Sequence, residues 1–271
     1  MKRRKAGSTI YYSDMLNDDF AQTKLKRPEV VDGYKFKRTN PINNFFSAIL
    51  YYCLAHPILS LFCIGRGITF SGKKNLKELK GKGYYVYGNH TTEWDEIVYA
   101  SYICWSRRVN IVGYSDTTTI PVVKHIARAL GYLPLGNSIK NQRDLMYAMK
   151  FYLDKKQVFV IYPEAHVWPY YTHIRPFPAA SFHYPAKFNA PIVPLVTVYK
   201  KRICKKFKPC IKIIIGKPIY PKSDFTPAQN KVYLHDECYK QMKEICDSHL
   251  NIFITNIFLI SRLLNNEGRD L

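Results

Sequence analysis

Residues 84–95, YYVYGNHTTEWD, join an apolar run to a polar turn and then to a segment with helical character. The run YYVY (84–87) predicts a buried strand, and a helix is expected over 94–105. In open α/β sheets, ligands bind outside the carboxyl ends of the strands. The turn that holds His90 and Asp95 is therefore expected at the ligand-binding edge of a sheet.

Strands and helices alternate along the next hundred residues. Apolar runs such as VFVIY (158–162) are typical of strands that are covered on both faces. The predicted strands lie at 109–114, 132–135, 158–162 and 191–199, and the predicted helices lie at 119–130 and 138–154. This alternation predicts an α/β fold with a mostly parallel sheet flanked by helices.

The C-terminal part continues with the apolar run 210–219, which predicts another strand. Thr226, Pro227 and Gln229 supply an N-cap, a first-turn proline and a capping-box partner, so a helix is expected from there to about Asp247. The tail 250–264 is apolar nearly all round, which predicts that it packs on the core or lies on a membrane.

An apolar segment precedes the alternating region. Residues 45–64 contain no formally charged side chain, and about twenty apolar residues are enough to cross a bilayer as a helix. His56-Pro57 interrupts the segment, because proline removes a helix hydrogen bond. We therefore expect a hairpin of two short helices that enters one leaflet; the alternative is a hairpin buried in the core.

The sequence thus predicts four parts. They are a basic polar arm (1–40), an apolar membrane-associating hairpin (41–70), a catalytic domain (83–200), and a C-terminal part of a basic strand and helices packed on that domain or on a membrane (201–271).

Charge is the strongest compositional signal. The chain has 41 Lys and Arg against 20 Asp and Glu, a formal net charge of +21, which predicts attraction to polyanions without identifying them. Anionic lipid headgroups attract clustered Lys and Arg at a membrane surface. We expect no nucleic-acid partner because no motif of a nucleic-acid-binding fold is present, but a non-catalytic protein that binds anionic surfaces or nucleic acid remains the alternative.

Cysteine use and the first residues bear on the compartment. The seven cysteines form no CxxC pair and have no regular spacing, and the chain opens with basic and polar residues. Reduced thiols and no cleavable signal peptide are the expectation. Together with the apolar segment, they predict a membrane-associated protein on the cytoplasmic face.

His90 and Asp95 form a candidate catalytic pair. On one regular helix, residues five apart point about 140° away from each other, but across a strand-to-helix turn they are able to meet. A carboxylate beside an imidazole fixes its tautomer and leaves the other ring nitrogen free to accept a proton. We expect no metal; a metallohydrolase that uses His90, Asp95 and His166 is the alternative.

The order of three motifs resembles a known family. NH-x4-D (89–95), IYPEAH (161–166) and APIVPLV (190–196) are similar to motifs of the glycerolipid acyltransferases that include the lysophosphatidic acid acyltransferases. The resemblance covers about residues 83–200. It implies that His90, held by Asp95, deprotonates a hydroxyl of a lipid acceptor, and that the alkoxide attacks an acyl thioester of coenzyme A or acyl carrier protein.

The resemblance also implies roles for neighbouring residues, without a metal, another cofactor or an acyl-enzyme. Asn89, Thr91 and Thr92 flank the base and would position it or the acyl carbonyl, although helix capping also explains a threonine there. Residues 163–166 resemble the family's Pro-Glu-Gly-Thr, which helps to bind the acceptor. The substrate-binding residues expected in this turn are Pro163, Glu164, Ala165 and His166, with Ala165 in place of Gly and His166 in place of Thr.

One family feature is missing from the sequence. Gly136 and Asn137 occupy the place where the family has an arginine that grips the acceptor phosphate. Arg143 and Arg175 are the candidates to replace it, since a guanidinium matches a phosphate bidentately. Alternatively, both are surface charges, or the acceptor has no phosphomonoester. The expected activity is acyl transfer to a glycerolipid in phospholipid synthesis, with 1-acylglycerol-3-phosphate as a candidate acceptor.

Overall fold

A computed structural model describes residues 9–20, 30–92, 103–104, 106–115, 121–200, 209–249 and 256–259. The strands are β1 (Thr9–Tyr12), β2 (Thr69–Ser71), β3 (Tyr84–Gly88), β4 (Val109–Gly113), β5 (Tyr132–Pro134), β6 (Val158–Ile161), β7 (Ile192–Lys200), β8 (Cys210–Ile215) and β9 (Asn256–Leu259). The α-helices are α1 (Pro41–Ile49), α2 (His56–Gly65), α3 (Pro121–Leu130), α4 (Ile139–Asp154), α5 (His183–Phe188) and α6 (Pro227–Asp247). Shorter helical segments lie at Leu50–Ala55, Lys73–Leu79 and Ala179–Phe182.

Seven strands form one sheet in the order β2-β8-β7-β3-β6-β4-β5. Neighbouring strands are parallel except for β7 and β8, which are antiparallel. The predicted mostly parallel sheet flanked by helices is therefore confirmed. Strand β3 lies at its centre, between β7 and β6, and the loop that contains His90 leaves its carboxyl end.

Both faces of the sheet are buried, as the apolar strand sequences predict. Tyr85 and Tyr87 point into a core with helices α4 and α6, while Tyr84 and Val86 point into a second core on the other face. Because side chains alternate along a strand, the run YYVY supplies both cores from one short segment. All four residues are at most 4% exposed.

Capping residues in the sequence predict the helix ends correctly. Helix α6 begins with the predicted capping box, in which the Thr226 and Gln229 side chains bond each other's backbone N–H groups. Helix α4 has Ser138 as its N-cap, and Gly131 ends α3 with a φ of +107°. That left-handed conformation suits glycine, which has no Cβ to clash. The predicted helix over 94–105 lies almost entirely outside the described residues.

The expected apolar hairpin is wrong. Residues Pro41–Gly65 form one continuous helix of 25 residues, long and apolar enough to cross a membrane. Its middle is a π-helical turn, Leu50–Ala55, in which the His56 N–H donates to the Tyr51 carbonyl. This wider turn precedes Pro57 and lets the helix continue past a residue that has no N–H to donate.

The alternative of a hairpin buried in the core is also wrong. Large apolar side chains of this helix are exposed, namely Ile42, Phe45, Phe46, Ile49, Tyr52, Leu54, Ile58, Leu61 and Ile64. Ser47, Tyr51 and Cys63 are buried against the domain. The helix therefore docks along one side and leaves a long apolar surface uncovered.

Described residues near both ends of the chain make contacts that the sequence did not predict. Phe36 lies in the main core, and the Arg38 N–H donates to the Tyr152 hydroxyl at 2.7 Å, so part of the predicted loose arm packs on the domain. The apolar tail contributes strand β9, which pairs in parallel with β1. Isolated aromatic residues in a basic segment, and strand pairing across the length of the chain, give no local sequence signal.

Candidate active site

His90 lies just beyond the carboxyl end of β3 and is 4% exposed. The strand register pairs Tyr87 with Ile161, so His90 and Glu164 lie opposite each other three residues further along β3 and β6. The His90 N–H donates to Glu164 Oε2 at 3.1 Å, and the His90 carbonyl accepts from the Trp168 N–H at 3.0 Å. The loop after β6 therefore fixes the backbone of the candidate base.

The residues on each side of His90 are anchored to strand β7. Asn89 makes two hydrogen bonds with the backbone of Thr197, donating to its carbonyl at 3.1 Å and accepting from its N–H at 2.8 Å. The Thr91 hydroxyl lies 2.7 Å from the Tyr199 hydroxyl. Asn89 and Thr91 are each 1% exposed. Both residues thus hold the turn in place, while Thr92 is partly exposed beside them.

Tyr162 packs directly against the candidate base. Its ring centroid lies 4.8 Å from that of His90. A Cβ added to Gly88 would lie 2.8 Å from the same tyrosine ring, so the glycine makes room for this contact. Asp95 lies outside the described residues, and the proposed His90–Asp95 contact stays a prediction.

Glu164 and Arg175 form a buried ion pair behind His90. Arg175 Nη2 lies 3.1 Å from Glu164 Oε2, the Arg175 N–H donates to Glu164 Oε1 at 3.0 Å, and each side chain is 1% exposed. Burial raises the pKa of the Glu164 carboxyl, while the Arg175 guanidinium and the N–H groups of His90 and Arg175 oppose that rise. One carboxylate therefore links the base loop to the segment around Arg175.

The expectation that Arg175 grips an acceptor phosphate is not met by its position. Its guanidinium stacks on the Trp168 ring at 4.6 Å and donates to the carbonyls of Glu164 and His166. At 1% exposure it has no free face toward a ligand. Arg175 instead holds the turn that contains Glu164. A sequence motif alone does not distinguish this role from phosphate binding.

Ala165 has a left-handed backbone, with a φ of +62°. Its N–H donates to the Tyr162 carbonyl at 3.1 Å, and the His166 N–H donates to the Glu164 carbonyl at 2.7 Å, which closes a tight turn. Glycine adopts this conformation without strain, whereas alanine is strained by about 1 kcal/mol. The family's glycine is thus replaced here at a position whose conformation favours glycine.

A cleft of ≈720 Å³ opens beside His90, and we refer to it as the His90 cleft. Much of its wall is apolar or aromatic, including Val112, Leu135, Met146, Ile161, Tyr162 and Tyr184. Among the residues expected to bind substrate, Pro163, Ala165 and Arg143 line it. Those that do not line it are Asn89, Thr91, Thr92, Glu164, His166 and Arg175.

Basic side chains form part of the same cleft. Arg143 of α4, His183 of α5 and Lys231 of α6 line it, and no Asp or Glu is among its described lining residues. Burial lowers the pKa of His183, and Lys187 and Lys231 nearby lower it further. In the described parts of the chain, Arg143 and Lys231 have no ion-pair partner. These cations fit an anionic group.

The sequence did not predict His183 or Lys231 as site residues. Both come from helices whose orientation depends on tertiary packing, and no spacing within the chain signals their approach to His90. Gly136 lines the same cleft, and a Cβ added there would lie 2.4 Å from the Asn141 Cβ. Gly136, one of the two positions where the family's arginine is expected, therefore has no room for a side chain.

The described neighbours of the His166 side chain are one carboxylate and one aromatic ring. Its Nδ1 lies 3.5 Å from Asp19 Oδ2, and its ring stacks on Tyr114 at a centroid distance of 6.3 Å. Among the described residues, no group of three His, Cys, Asp or Glu side chains is placed to hold a metal ion.

Comparisons with known proteins agree with the motif order. Residues 67–198 match the family model described as Acyltransferase. None of the curated proteins compared with the chain matches it. Among solved structures, the chain is similar to the 1-acyl-sn-glycerophosphate (LPA) acyltransferase PlsC from Thermotoga maritima, with 14% identity, 75% of this chain and 93% of that chain covered, and a TM-score of 0.49.

The matched residues contain most of the site described above. They include His90, the turn from Pro163 to His166 and most of β7, but they end before α6 and Lys231. The family resemblance predicted from the three motifs is thereby confirmed. Residues 67–198 of this chain form a domain of the acyltransferase family.

Proposed function

We propose that the protein transfers an acyl chain from a thioester to a hydroxyl of a glycerolipid at a membrane surface. The observation that supports this most strongly is the His90 cleft. There a buried imidazole at a strand end meets an apolar wall and cations that have no ion-pair partner among the described residues. An acyl chain fits the apolar wall, and the headgroup of a lysolipid fits the cations.

In the proposed reaction His90 acts as general base. It accepts the proton of the acceptor hydroxyl while the hydroxyl oxygen attacks the thioester carbonyl. The carbon–sulfur bond then breaks, an ester forms, and the proton leaves with the thiol. Asp95 would orient the imidazole, and Glu164 with Arg175 would hold the base loop. No covalent acyl-enzyme and no metal or other cofactor enters this scheme.

The acceptor is proposed to be anionic, with 1-acylglycerol-3-phosphate as the first candidate. Arg143 and Lys231 supply cationic donors for a phosphate, in place of the arginine that is absent at Gly136 and Asn137. The donor is proposed to be acyl-CoA or acyl carrier protein, whose acidic groups suit a chain with a net charge of +21.

Membrane association is proposed from the apolar helix. Twenty-five residues at about 1.5 Å each give a length of about 37 Å, more than the roughly 30 Å of a bilayer's hydrocarbon core. The basic residues that precede the helix suit the cytoplasmic face, where Lys and Arg accumulate. The helix would bring the His90 cleft close to lipid acceptors.

A panel assay tests the proposal. Purified protein in neutral detergent is given acyl-CoA or acyl carrier protein thioesters with lysophosphatidic acid, other lysophospholipids and monoacylglycerol. We expect transfer that is fastest with a phosphate-bearing acceptor. Absence of transfer with every pair, together with salt-sensitive binding to duplex nucleic acid, would instead support the non-catalytic alternative.

A further inference from the structure

A second cleft, of ≈500 Å³, lies away from His90, between the segment before α1, the first turns of α1, and α3. We refer to it as the basic cleft. Its lining residues are Lys35, Lys37, Arg38, Thr39, Asn40, Asn43, Phe46, Ser47, Leu50, His125, Arg128 and Ala129. It shares no lining residue with the His90 cleft.

The basic cleft concentrates positive charge, with no counter-charge among its described lining residues. Four of its lining residues are Lys or Arg, one more is His, and none is Asp or Glu. Lys35 and Lys37 are exposed, and within the described part of the chain neither ammonium group has a carboxylate partner. Burial, together with the nearby Arg38 guanidinium, lowers the pKa of the neighbouring Arg108 to about 10.

The carbonyls that would repel an anion here are already bonded. Helix α3 ends at this cleft, where its last carbonyls are partly negative. The Arg128 carbonyl accepts from Arg38 Nη1 at 2.9 Å. The Ala129 carbonyl accepts from the Ser47 hydroxyl at 2.6 Å and from the Arg108 guanidinium. Asn40, the N-cap of α1, and Asn43 in its first turn also line the cleft, and the Asn40 side chain accepts from the Asn43 N–H at 3.1 Å.

Apolar surface continues from the basic cleft along the helix. Phe46 and Leu50 line it, and Phe45 and Phe46 are each 63% exposed. The exposed apolar side chains of Pro41–Gly65 extend from this point. A basic cleft at one end of an apolar surface matches the arrangement of a phospholipid, with its anionic headgroup next to its acyl chains.

We propose that the basic cleft binds the phosphate headgroup of an anionic diacyl phospholipid of the membrane. Lys35, Lys37 and Arg128 would contact the phosphate, while Phe46 and Leu50 would lie beside the first methylenes of the acyl chains. Arg38 serves mainly to hold the end of α3. The bound lipid stays at this cleft as a membrane anchor and is not an acyl acceptor.

The proposal rests on the membrane location in the proposed function, but not on acyl transfer. Its test compares binding to neutral maltoside micelles that contain either phosphatidylglycerol or phosphatidylcholine, measured by titration calorimetry on the full chain. The test variant is Lys35→Gln/Lys37→Gln, and the matched control is Lys240→Gln/Lys243→Gln, two exposed lysines of α6.

We expect the wild type and the control to prefer phosphatidylglycerol micelles, and the test variant to lose about tenfold or more of that affinity. Circular dichroism confirms that each variant is folded. Arg128→Gln should reduce the same preference. His90→Gln should retain the full preference even if no acceptor is ever acylated, which separates this proposal from the proposed reaction.

Three outcomes would overturn the proposal. An equal loss of affinity in the control and in the test variant would show a diffuse charge effect. Equal affinity of the wild type for phosphatidylcholine and phosphatidylglycerol micelles would show that the protein does not recognise the charge of the headgroup. Inorganic phosphate or glycerol phosphate that binds in solution as tightly, and is lost in the test variant, would identify a soluble anion as the ligand.

Discussion

The His90 cleft and the basic cleft both present cations to a ligand, yet they are built differently. Around His90, the polar groups are buried and hydrogen-bonded to one another, as with Asn89 and Thr197 or Glu164 and Arg175. In the basic cleft, Lys35 and Lys37 are exposed and have no carboxylate partner among the described residues.

This difference follows from what each site must do. Proton transfer needs a base held within hydrogen-bond distance of the reacting atom, so its surroundings must be rigid. Attraction of a lipid headgroup needs only a local positive potential, which exposed lysines supply. The rigid site should therefore fail sharply when one residue changes, and the exposed site should weaken gradually.

The largest effect is expected from His90→Gln. Loss of a general base should lower kcat/KM for acyl transfer by about 10²–10⁴-fold. The measurement is the initial rate of thiol release with lysophosphatidic acid as acceptor. His249→Gln, which lines neither cleft, is the matched control. A His90 variant as active as that control would remove the base from the proposed reaction.

Arg175→Met should be the next largest change, and it should act on stability. Removing one partner of a buried ion pair lowers the free energy of unfolding by about 3–5 kcal/mol, because the other charge stays buried. Urea unfolding of Arg175→Met, Glu164→Gln and the double variant forms a cycle. We expect the double variant to be destabilised by less than the sum of the two single changes. If the two changes in free energy of unfolding simply add, Arg175 and Glu164 do not stabilise each other.

Arg143→Gln/Lys231→Gln should change acceptor binding more than turnover. Loss of charge-assisted hydrogen bonds should raise the KM for a phosphate-bearing acceptor by about tenfold or more. The KM for monoacylglycerol should change little. Lys140→Gln/Lys240→Gln, at exposed positions on α4 and α6, is the control. An equal rise in KM for both acceptors would mean that these cations do not bind the phosphate.

Ala165→Gly should produce the smallest effect, with the opposite sign. Relief of the left-handed alanine should raise the free energy of unfolding by about 1 kcal/mol. Ala186→Gly, inside α5, should instead lower it by about 1 kcal/mol. Thermal or urea unfolding measures both, and destabilisation by Ala165→Gly would show that its Cβ makes contacts worth more than the strain.

Local features of the fold were predictable from the sequence. The six strand runs from 84–87 onward, the Thr226 capping box and the Gly131 helix end depend on neighbouring residues, and each appears in the structure. Features that depend on distant contacts were not. Pro57 within a helix is tolerated because of a π turn, and Phe36 is buried because a whole segment packs on α4.

The candidate site shows the same division. Motif order identified His90 and the turn from Pro163 to His166, since these lie next to strand ends. The role of Arg175 could not be assigned, because only tertiary structure shows that its guanidinium is buried on Glu164. Lys231 reaches the cleft from a helix beyond the family domain, so no motif included it.

The measurement that tests the central claim most directly follows a labelled acyl chain. Wild-type protein is incubated with a thioester whose acyl chain is isotopically labelled and with lysophosphatidic acid, and the lipids are analysed by mass spectrometry. The predicted result is label in ester linkage on the acceptor, with one free thiol for each new ester. Free labelled fatty acid instead of the ester, or ester formed equally well by His90→Gln, would contradict the account.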